Sequence, residues 1–97
     1  MKFTIRLTES ASHDIDYFRK SERNRLVDGI ARFLTNDANL ETKRRKPLRP
    51  SSLSEWELRL DDFRVFYNID GQDIVIVVAA GVKKHNDLFI RGKKVDL

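Results

Sequence analysis

Two arginines, Arg59 and Arg64, lie in the most regularly patterned stretch of the chain, WELRLDDFRVFYNID at residues 56–70. Apolar and charged residues alternate there, which predicts strands with one buried face and puts both arginines on the polar face of a sheet. The planar donor fork of an arginine fits a phosphate, so Arg64 is a candidate phosphate ligand. A charged residue on a sheet with one solvent-exposed face also pairs readily with acidic neighbours, here Asp61, Asp62 or Asp70. The residues alone leave both interpretations open.

Two further groups of basic residues are also candidates for binding phosphate. The run KRRKPLR is basic at five of its seven positions: Lys43, Arg44, Arg45, Lys46 and Arg49. Lys83, Lys84 and His85 come directly after the last long apolar stretch. The imidazole of His85, with an ordinary pKa of about 6.5, suits proton transfer at neutral pH. With a net charge of +4 and a pI near 9.6, the chain favours polyanions or acidic protein segments as partners, although basic loops are often merely solvated.

Several other kinds of site are disfavoured. The chain has two histidines and no cysteine, so the usual nitrogen and sulfur ligand sets for a metal cannot be assembled. The acidic pair Asp61-Asp62 is interpreted as turn residues, and Glu55 and Glu57 as exposed strand residues. No nucleophile motif and no phosphate-cradling glycine motif occur, and the four glycines are scattered singly, which disfavours nucleotide binding by such a loop. Cationic chemistry on phosphate remains.

The first 40 residues predict one strand and two helices. KFTIRLT alternates in the manner of a strand at residues 2–8, and Thr8 or Ser10 can cap a helix that runs to about Lys20. Ser21, with Asn24 nearby, is a candidate cap for a second helix. That helix carries an apolar stripe at Leu26, Ile30, Phe33 and Leu34. A long connecting loop is predicted from residue 36 to residue 54.

The rest of the chain predicts an antiparallel meander. EWELRL and FRVFYNI each place alternate residues on one face, while DIVIVVAAG is almost wholly apolar and is predicted as a central strand buried on both sides. Asp70-Gly71 is a good hairpin turn, and a small terminal hairpin is predicted around Arg91-Gly92. These elements together predict an α+β fold, in which an N-terminal strand and a two-helix hairpin pack on a twisted antiparallel sheet.

A chain of 97 residues is expected to form a single domain over residues 1–97. It has no apolar run of the roughly 18 residues that a membrane-spanning helix needs, and MKFTIRLTES is unlike a signal peptide. We therefore expect a cytoplasmic protein with no membrane partner, and the lack of cysteine suits that reducing compartment.

The order of these elements resembles the RelE/ParE toxin superfamily of bacterial type II toxin–antitoxin systems. The resemblance is carried by Trp56 and Arg59 on one strand, FRVFY on the next, the apolar strand IVIVVAAG, and the cluster Lys83-Lys84-His85. In the superfamily, the RelE branch cuts mRNA in the ribosomal A site by attack of the RNA 2′-hydroxyl on the adjacent phosphate, and the ParE branch poisons DNA gyrase. The resemblance implies that Arg64 is the central-strand arginine that contacts the scissile phosphate in the nuclease branch.

What the resemblance implies for function is a metal-independent, ribosome-associated mRNA endoribonuclease that needs no cofactor. The implied catalytic residues are Arg64, Lys83, His85 and Arg59, and the implied RNA-binding residues are Lys43, Arg44, Arg45, Lys46, Arg49 and Lys84. The implied partners are an antitoxin protein, the ribosome and mRNA, with DNA reached only through the antitoxin complex.

Two departures from the nuclease pattern keep other functions open. Glu55 and Glu57 stand where well-known nuclease members carry lysines, and Phe89 stands at best where they carry a tyrosine. Glutamates can act as a base, whereas a phenylalanine can only stack or pack. A gyrase-type inhibitor, or a catalytically degenerate toxin that mainly binds its antitoxin, is the alternative.

Overall fold

The structure is a computed structural model that describes residues 1–50 and 52–96, so Ser51 in the predicted loop and Leu97 at the end of the predicted terminal hairpin lie outside the described residues. The predicted α+β fold is confirmed, with two helices packed on a seven-stranded sheet. The elements in chain order are β1 (Thr4–Leu7), α1 (Glu9–Asp16), α2 (Lys20–Leu34), β2 (Arg45–Pro47), β3 (Trp56–Leu60), β4 (Phe63–Asp70), β5 (Ile74–Lys84), β6 (Asp87–Ile90) and β7 (Lys93–Val95).

Strand β5 is the centre of the sheet, as its continuous apolar sequence predicts. The strand order is β2-β3-β4-β5-β6-β7, with neighbours antiparallel, and β1 pairs with β5 in parallel. One edge of β5 is shared, because β1 covers Ile74 to Val77 and β6 covers Val82 to Lys84. Residues 78–81 therefore lie in a gap between two short strands.

The helices are shorter or begin earlier than predicted. Thr8 caps α1 by accepting a hydrogen bond from the backbone nitrogen of Ala11 at 3.0 Å, but the helix ends at Asp16 and not near Lys20. The prediction of a cap at Ser21 is wrong. Helix α2 already begins at Lys20, because the Glu22 carboxylate accepts from the Arg19 backbone nitrogen at 3.3 Å in the first turn.

Both faces of the sheet carry buried apolar side chains. On the helix face, the predicted alternation is confirmed, since Leu58, Leu60, Phe63, Val65 and Tyr67 all join the main core. The opposite face, which the alternation predicts to be polar, holds a second cluster. Its buried members are Phe66, Ala79 and Leu88, and partly buried Leu48, Val78, Ile90 and Val95 pack against them.

The segments between the helices and strands differ from the prediction in one place and agree with it in two. Within the predicted loop at residues 36–54, Arg45–Pro47 forms an edge strand against β3, because three of its residues pair with Trp56 to Leu58. The hairpin around Arg91-Gly92 and the turn after Asp70 are confirmed, with positive φ at Arg91, Gly92 and Gly71. Among the described residues, no helix is long and apolar enough to cross a membrane.

Candidate functional site

The sheet face opposite the helices brings three of the predicted site residues together. Arg59 on β3 lies directly opposite Arg64 on β4, and Arg64 lies opposite Gly81 on β5. Lys83 is two residues beyond Gly81 and therefore shares this face. A β-carbon at Gly81 would lie 2.5 Å from the carbonyl oxygen of Phe89, so glycine lets β6 approach closely here. We call Glu57, Arg59, Arg64 and Lys83 the cationic face.

The interpretation of Glu57 as an exposed strand residue is wrong. Its side chain is only 4% exposed, and its carboxylate lies between the two arginines. The Arg59 Nε donates to Glu57 Oε2 at 2.8 Å, while the Arg64 Nε lies 3.9 Å from Glu57 Oε1. A buried carboxylate is tolerated only with cations beside it, and two guanidiniums facing each other across strands need an anion between them. Glu57 supplies that anion.

A signal for this burial was present in the sequence. Val65, Phe66 and Tyr67 are three consecutive apolar residues in one strand, which indicates that both faces of that strand are covered. Phe66 is opposite Glu57 in the β3–β4 pair and is fully buried. The carboxylate of Glu57 therefore shares its side of the sheet with an apolar cluster that keeps water away from it.

Arg64 is held firmly by its own neighbourhood. Its side chain is 16% exposed, and its Nη1 donates to the carbonyl oxygens of Asp61 at 2.6 Å and Phe63 at 2.9 Å. Its Nε is buried and has no hydrogen-bond partner among residues 1–50 and 52–96. Burial lowers the pKa of Arg64 from its ordinary value, opposed by the Glu57 charge; Arg59 adds to the lowering and Asp62 opposes it. A guanidinium stays charged through such shifts.

Arg59 is much freer. Its side chain is 48% exposed, and it makes one side-chain hydrogen bond within the described structure, to Glu57. The neighbouring Lys46, opposite Glu57 on β2, is engaged elsewhere, because its Nζ lies 3.4 Å from the Glu41 carboxylate. Of the cations on this side of β3, Arg59 is therefore the one whose donors are most available to an outside ligand.

The cluster of Lys83, Lys84 and His85 is split by the strand. Lys84 lines a cavity of about 520 Å³ on the helix side, together with Tyr17, Phe89 and Arg91, and so faces away from Lys83. His85 is exposed in the two-residue turn between β5 and β6, with φ of 54°. It lies four residues beyond Gly81, about 13 Å further along the direction of β5, and its predicted role in catalysis stays a prediction.

The basic run between α2 and β3 is also divided. Arg45 is half-buried and donates to the carbonyl oxygens of Leu40 at 3.0 Å and Phe33 at 2.9 Å. The guanidinium of Arg44 lies 4.9 Å from the centre of the Phe33 ring, on the helix side. Lys43 and Arg49 are exposed. Two residues of the run thus stabilise the loop, while two others extend into solvent, and their predicted role in RNA binding stays a prediction.

Phe89 pairs with Val82 and lines the cavity on the helix side. It is therefore on the other side of the sheet from Arg64. Among the described residues, no three His, Asp or Glu side chains are grouped so that they could hold a metal ion.

Two helices packed on a mainly antiparallel sheet, with Arg59 and Arg64 on the face opposite the helices, give this chain an α+β fold. Residues 5–86 match the family described as ParE toxin of type II toxin–antitoxin system, parDE. The chain belongs to this ParE toxin family of type II toxin–antitoxin systems, which confirms the predicted superfamily.

Two solved structures share the fold. The toxin–antitoxin complex RelBE2 from Mycobacterium tuberculosis contains a chain with a TM-score of 0.70 and 21% identity, over 86% of this chain and 100% of that chain. The YoeB dimer from Staphylococcus aureus gives a TM-score of 0.53 and 20% identity, over 88% of this chain and 99% of that chain. No curated protein sequence matches this chain.

Proposed function

We propose that this toxin is a metal-independent, ribosome-associated mRNA endoribonuclease. The observation that carries the proposal is the cationic face, where Arg59 and Arg64 flank the buried Glu57 carboxylate and Lys83 lies further along the same side of the sheet. Cleavage of RNA by its own 2′-hydroxyl needs a base, cations that stabilise the charge on phosphorus, and an acid for the leaving oxygen. The cationic face contains residues of each kind.

The reaction is an internal transesterification. The 2′-oxygen attacks phosphorus, the bond from phosphorus to the 5′-oxygen breaks, and a 2′,3′-cyclic phosphate and a 5′-hydroxyl are formed. Glu57 is the carboxylate beside the arginines and is the candidate base for the 2′-hydroxyl proton. The ammonium of Lys83 is the candidate donor to the 5′-oxygen. His85, about 13 Å further along β5, fits contact with a neighbouring nucleotide better.

The same proposal names the partners. The RelBE2 structure is a complex of a toxin with its antitoxin, and we infer that this chain likewise binds an antitoxin. An acidic antitoxin would complement the net charge of +4. The ribosome and mRNA are the proposed targets, reached in the cytoplasm, with exposed Lys43 and Arg49 as added contacts to RNA. DNA is reached only through the antitoxin complex.

Two observations favour the alternatives, which are inhibition of gyrase and antitoxin binding without catalysis. The matching family is described as ParE. In addition, Arg64 already donates two hydrogen bonds to the carbonyl oxygens of Asp61 and Phe63 at the β3–β4 turn. A binding surface needs no catalytic donor, so an Arg64 whose Nη1 is engaged by the backbone suits it.

Expression in cells tests the two functions against each other. The chain is expressed from a tightly controlled promoter without antitoxin, beside Arg64→Ala, Arg59→Ala and Lys83→Ala, and mRNA 5′ ends are mapped by primer extension. New in-frame cuts that vanish in these variants are expected. Lys20→Ala, an exposed cation on α2, is the matched control and should keep both arrest and cuts.

The alternatives give different results in the same experiment. Growth arrest with intact mRNA and halted replication would replace the nuclease by the gyrase inhibitor. No arrest at all would indicate a degenerate toxin. A thermal melt of each purified variant separates lost chemistry from lost folding, which matters for Arg64→Ala because this change leaves Glu57 with a single arginine.

A further inference from the structure

The two arginines of the cationic face are in different states. The Arg64 side chain is 16% exposed and has two hydrogen bonds to backbone oxygens, whereas that of Arg59 is 48% exposed and bonds to Glu57. An incoming phosphate meets the more exposed guanidinium first, and it can recruit Arg59 at the cost of one hydrogen bond. Arg64 is more shielded from solvent, and its Nη1 already donates to two backbone oxygens at the turn between β3 and β4.

The charges around Glu57 do not cancel. Two guanidiniums share one carboxylate, while nearby Lys46 is balanced by Glu41. Glu57, Arg59 and Arg64 together therefore carry one net positive charge; Lys83 on the same face adds to it, and Asp62 near Arg64 offsets part of it. An anion is attracted to this point of the sheet, and the carboxylate of Glu57 already occupies one of the places that a phosphate oxygen would take.

We propose that Arg59 is the phosphate-binding residue of this face, that Glu57 is the resident counter-ion which phosphate replaces on Arg59, and that Arg64 is a positioning residue that holds Glu57. The proposal rests on the proposed function for its substrate, a phosphodiester of RNA. It reverses the roles that the resemblance implies for Arg59 and Arg64.

The buried Nε of Arg64 gives the proposal its mechanism. When Arg59 turns outward to a phosphate, Glu57 loses its hydrogen bond at 2.8 Å and would be left as a poorly paired buried charge. The Arg64 Nε has no hydrogen-bond partner among the described residues and lies 3.9 Å from Glu57 Oε1. A movement of about 1 Å would bring it to the usual hydrogen-bond distance. Arg64 can therefore form the hydrogen bond to the Glu57 carboxylate that Arg59 gives up.

Phosphate binding can be measured on each arginine directly. In the full-length chain labelled with nitrogen-15, the Nε–Hε signals of the arginines are followed while inorganic phosphate is added. The Arg59 signal should move with phosphate concentration more than the Arg64 signal does. Glu57→Gln removes the competing charge and should tighten phosphate binding several-fold, while Arg59→Ala should weaken it about tenfold or more, as expected for loss of a charge-assisted hydrogen bond.

A double variant separates positioning from direct contact. In Arg64→Gln, Glu57 depends on Arg59 alone, so phosphate binding should weaken about tenfold, as for one lost charge-assisted interaction. Adding Glu57→Gln to that variant should restore binding, and Arg64→Lys should weaken it less than Arg64→Gln does. Thermal melts identify any variant that fails to fold. If the Arg64 variants fail, the single variant Glu57→Gln still tests the proposal, because the proposal requires that it binds phosphate more tightly than the unsubstituted chain.

Several results would overturn the proposal. These are an Arg64 signal that moves most, a double variant that stays as weak as Arg64→Gln, or a Glu57→Gln chain that binds phosphate less tightly. Because inorganic phosphate is not cleaved, these measurements stand apart from nuclease activity. Phosphate binding through Arg59 without any mRNA cuts would keep this inference and reject the proposed function.

Discussion

At the scale of single residues, the fold uses some polar groups completely and leaves others, such as the Arg64 Nε, without a hydrogen-bond partner among the described residues. Tyr67 belongs to the first kind, because it is fully buried and its hydroxyl donates to the Ala38 carbonyl oxygen at 2.8 Å. This contact fastens the chain after α2 to the middle of β4. Burial raises the pKa of Tyr67 far above its ordinary value, with a smaller opposing effect from Arg45.

The raised pKa of Tyr67 predicts how stability changes in alkali. The folded chain holds the phenol proton more tightly than the unfolded chain does. The stabilisation from this group is therefore complete below about pH 10 and is lost as pH rises above that value toward the folded pKa. Urea unfolding between pH 7 and 11 should show a flatter alkaline decline for Tyr67→Phe, with a loss of roughly 1–3 kcal/mol at pH 7 from the unpaired Ala38 carbonyl.

Tyr17→Phe is the control for this change, since the Tyr17 side chain is exposed. Its alkaline decline should follow that of the unsubstituted chain. An equally flat curve for both variants would show that the decline has another source than the buried phenol.

Within the basic run, neighbouring cations should differ in what they do for stability. Arg45→Ala removes two hydrogen bonds to backbone oxygens of Phe33 and Leu40, so the free energy of unfolding should fall by roughly 1–3 kcal/mol. Lys43→Ala, at an exposed position, should change it by less than about 0.5 kcal/mol. Urea titration of both variants checks this, and equal losses would contradict the division of the run.

At the scale of elements, helix α1 completes an edge that the strands leave open. Between β1 and β6, the backbone nitrogen of Ala80 on β5 has no neighbouring strand, and it donates instead to Asp14 Oδ2 at 3.1 Å. The other carboxylate oxygen lies 2.8 Å from the Arg91 Nε in the β6–β7 turn. Asp14, 1% exposed, therefore joins α1, the central strand and the terminal hairpin.

Replacement of Asp14 should loosen this junction. Asp14→Ala leaves the Ala80 nitrogen buried without an acceptor and Arg91 without its ion pair, so the free energy of unfolding should fall by roughly 2–4 kcal/mol. Asp14→Asn should cost less, because an amide oxygen can still accept from Ala80. Denaturation and hydrogen exchange at the Ala80 amide measure both effects.

Asp16→Asn, an exposed change on the same helix, is the matched control and should leave stability and exchange nearly unchanged. Unchanged exchange at Ala80 in Asp14→Ala would mean that α1 does not close the edge of β5.

At the scale of the whole molecule, the sheet separates two environments. One face carries the helices and most of the buried apolar side chains, and the other carries a smaller apolar cluster beside the cationic face. The charge is uneven along the chain as well, with seven basic and six acidic residues up to position 40 but twelve and nine beyond it. Polyanions should therefore bind mainly through residues of the second part.

Salt dependence should reveal which cations meet RNA. Binding of a short, non-cleavable single-stranded RNA should weaken with salt, and each phosphate-contacting cation that is removed should lower the slope of log affinity against log salt by about 0.7. Arg59→Ala and Lys43→Ala should show this loss, whereas Lys20→Ala on α2 should not. The same slope in all three variants would place RNA elsewhere on the molecule.

The sequence by itself determined the class of fold and most of the elements, although strand β2 was predicted as part of a loop. Alternation in EWELRL and FRVFYNI, the continuous apolar run of β5, and the turn at Asp70-Gly71 depend on local rules, and each was confirmed because hydrophobic period and turn chemistry act over a few residues. The predicted helix ends were less accurate. Helix α1 stops at Asp16, and in the bend that follows it Arg23 donates a hydrogen bond to the Phe18 carbonyl oxygen.

Only the tertiary structure decided the site. Which cations share a face depends on the pairing of distant strands, and this pairing placed Lys83 beside Arg64 but turned Lys84 to the helices. The burial of Glu57 depends on an apolar cluster assembled from β4, β5 and β6, which no local pattern of β3 contains. Charge and hydrogen bonding at a site are sums over neighbours in space, whereas a sequence pattern records neighbours along the chain.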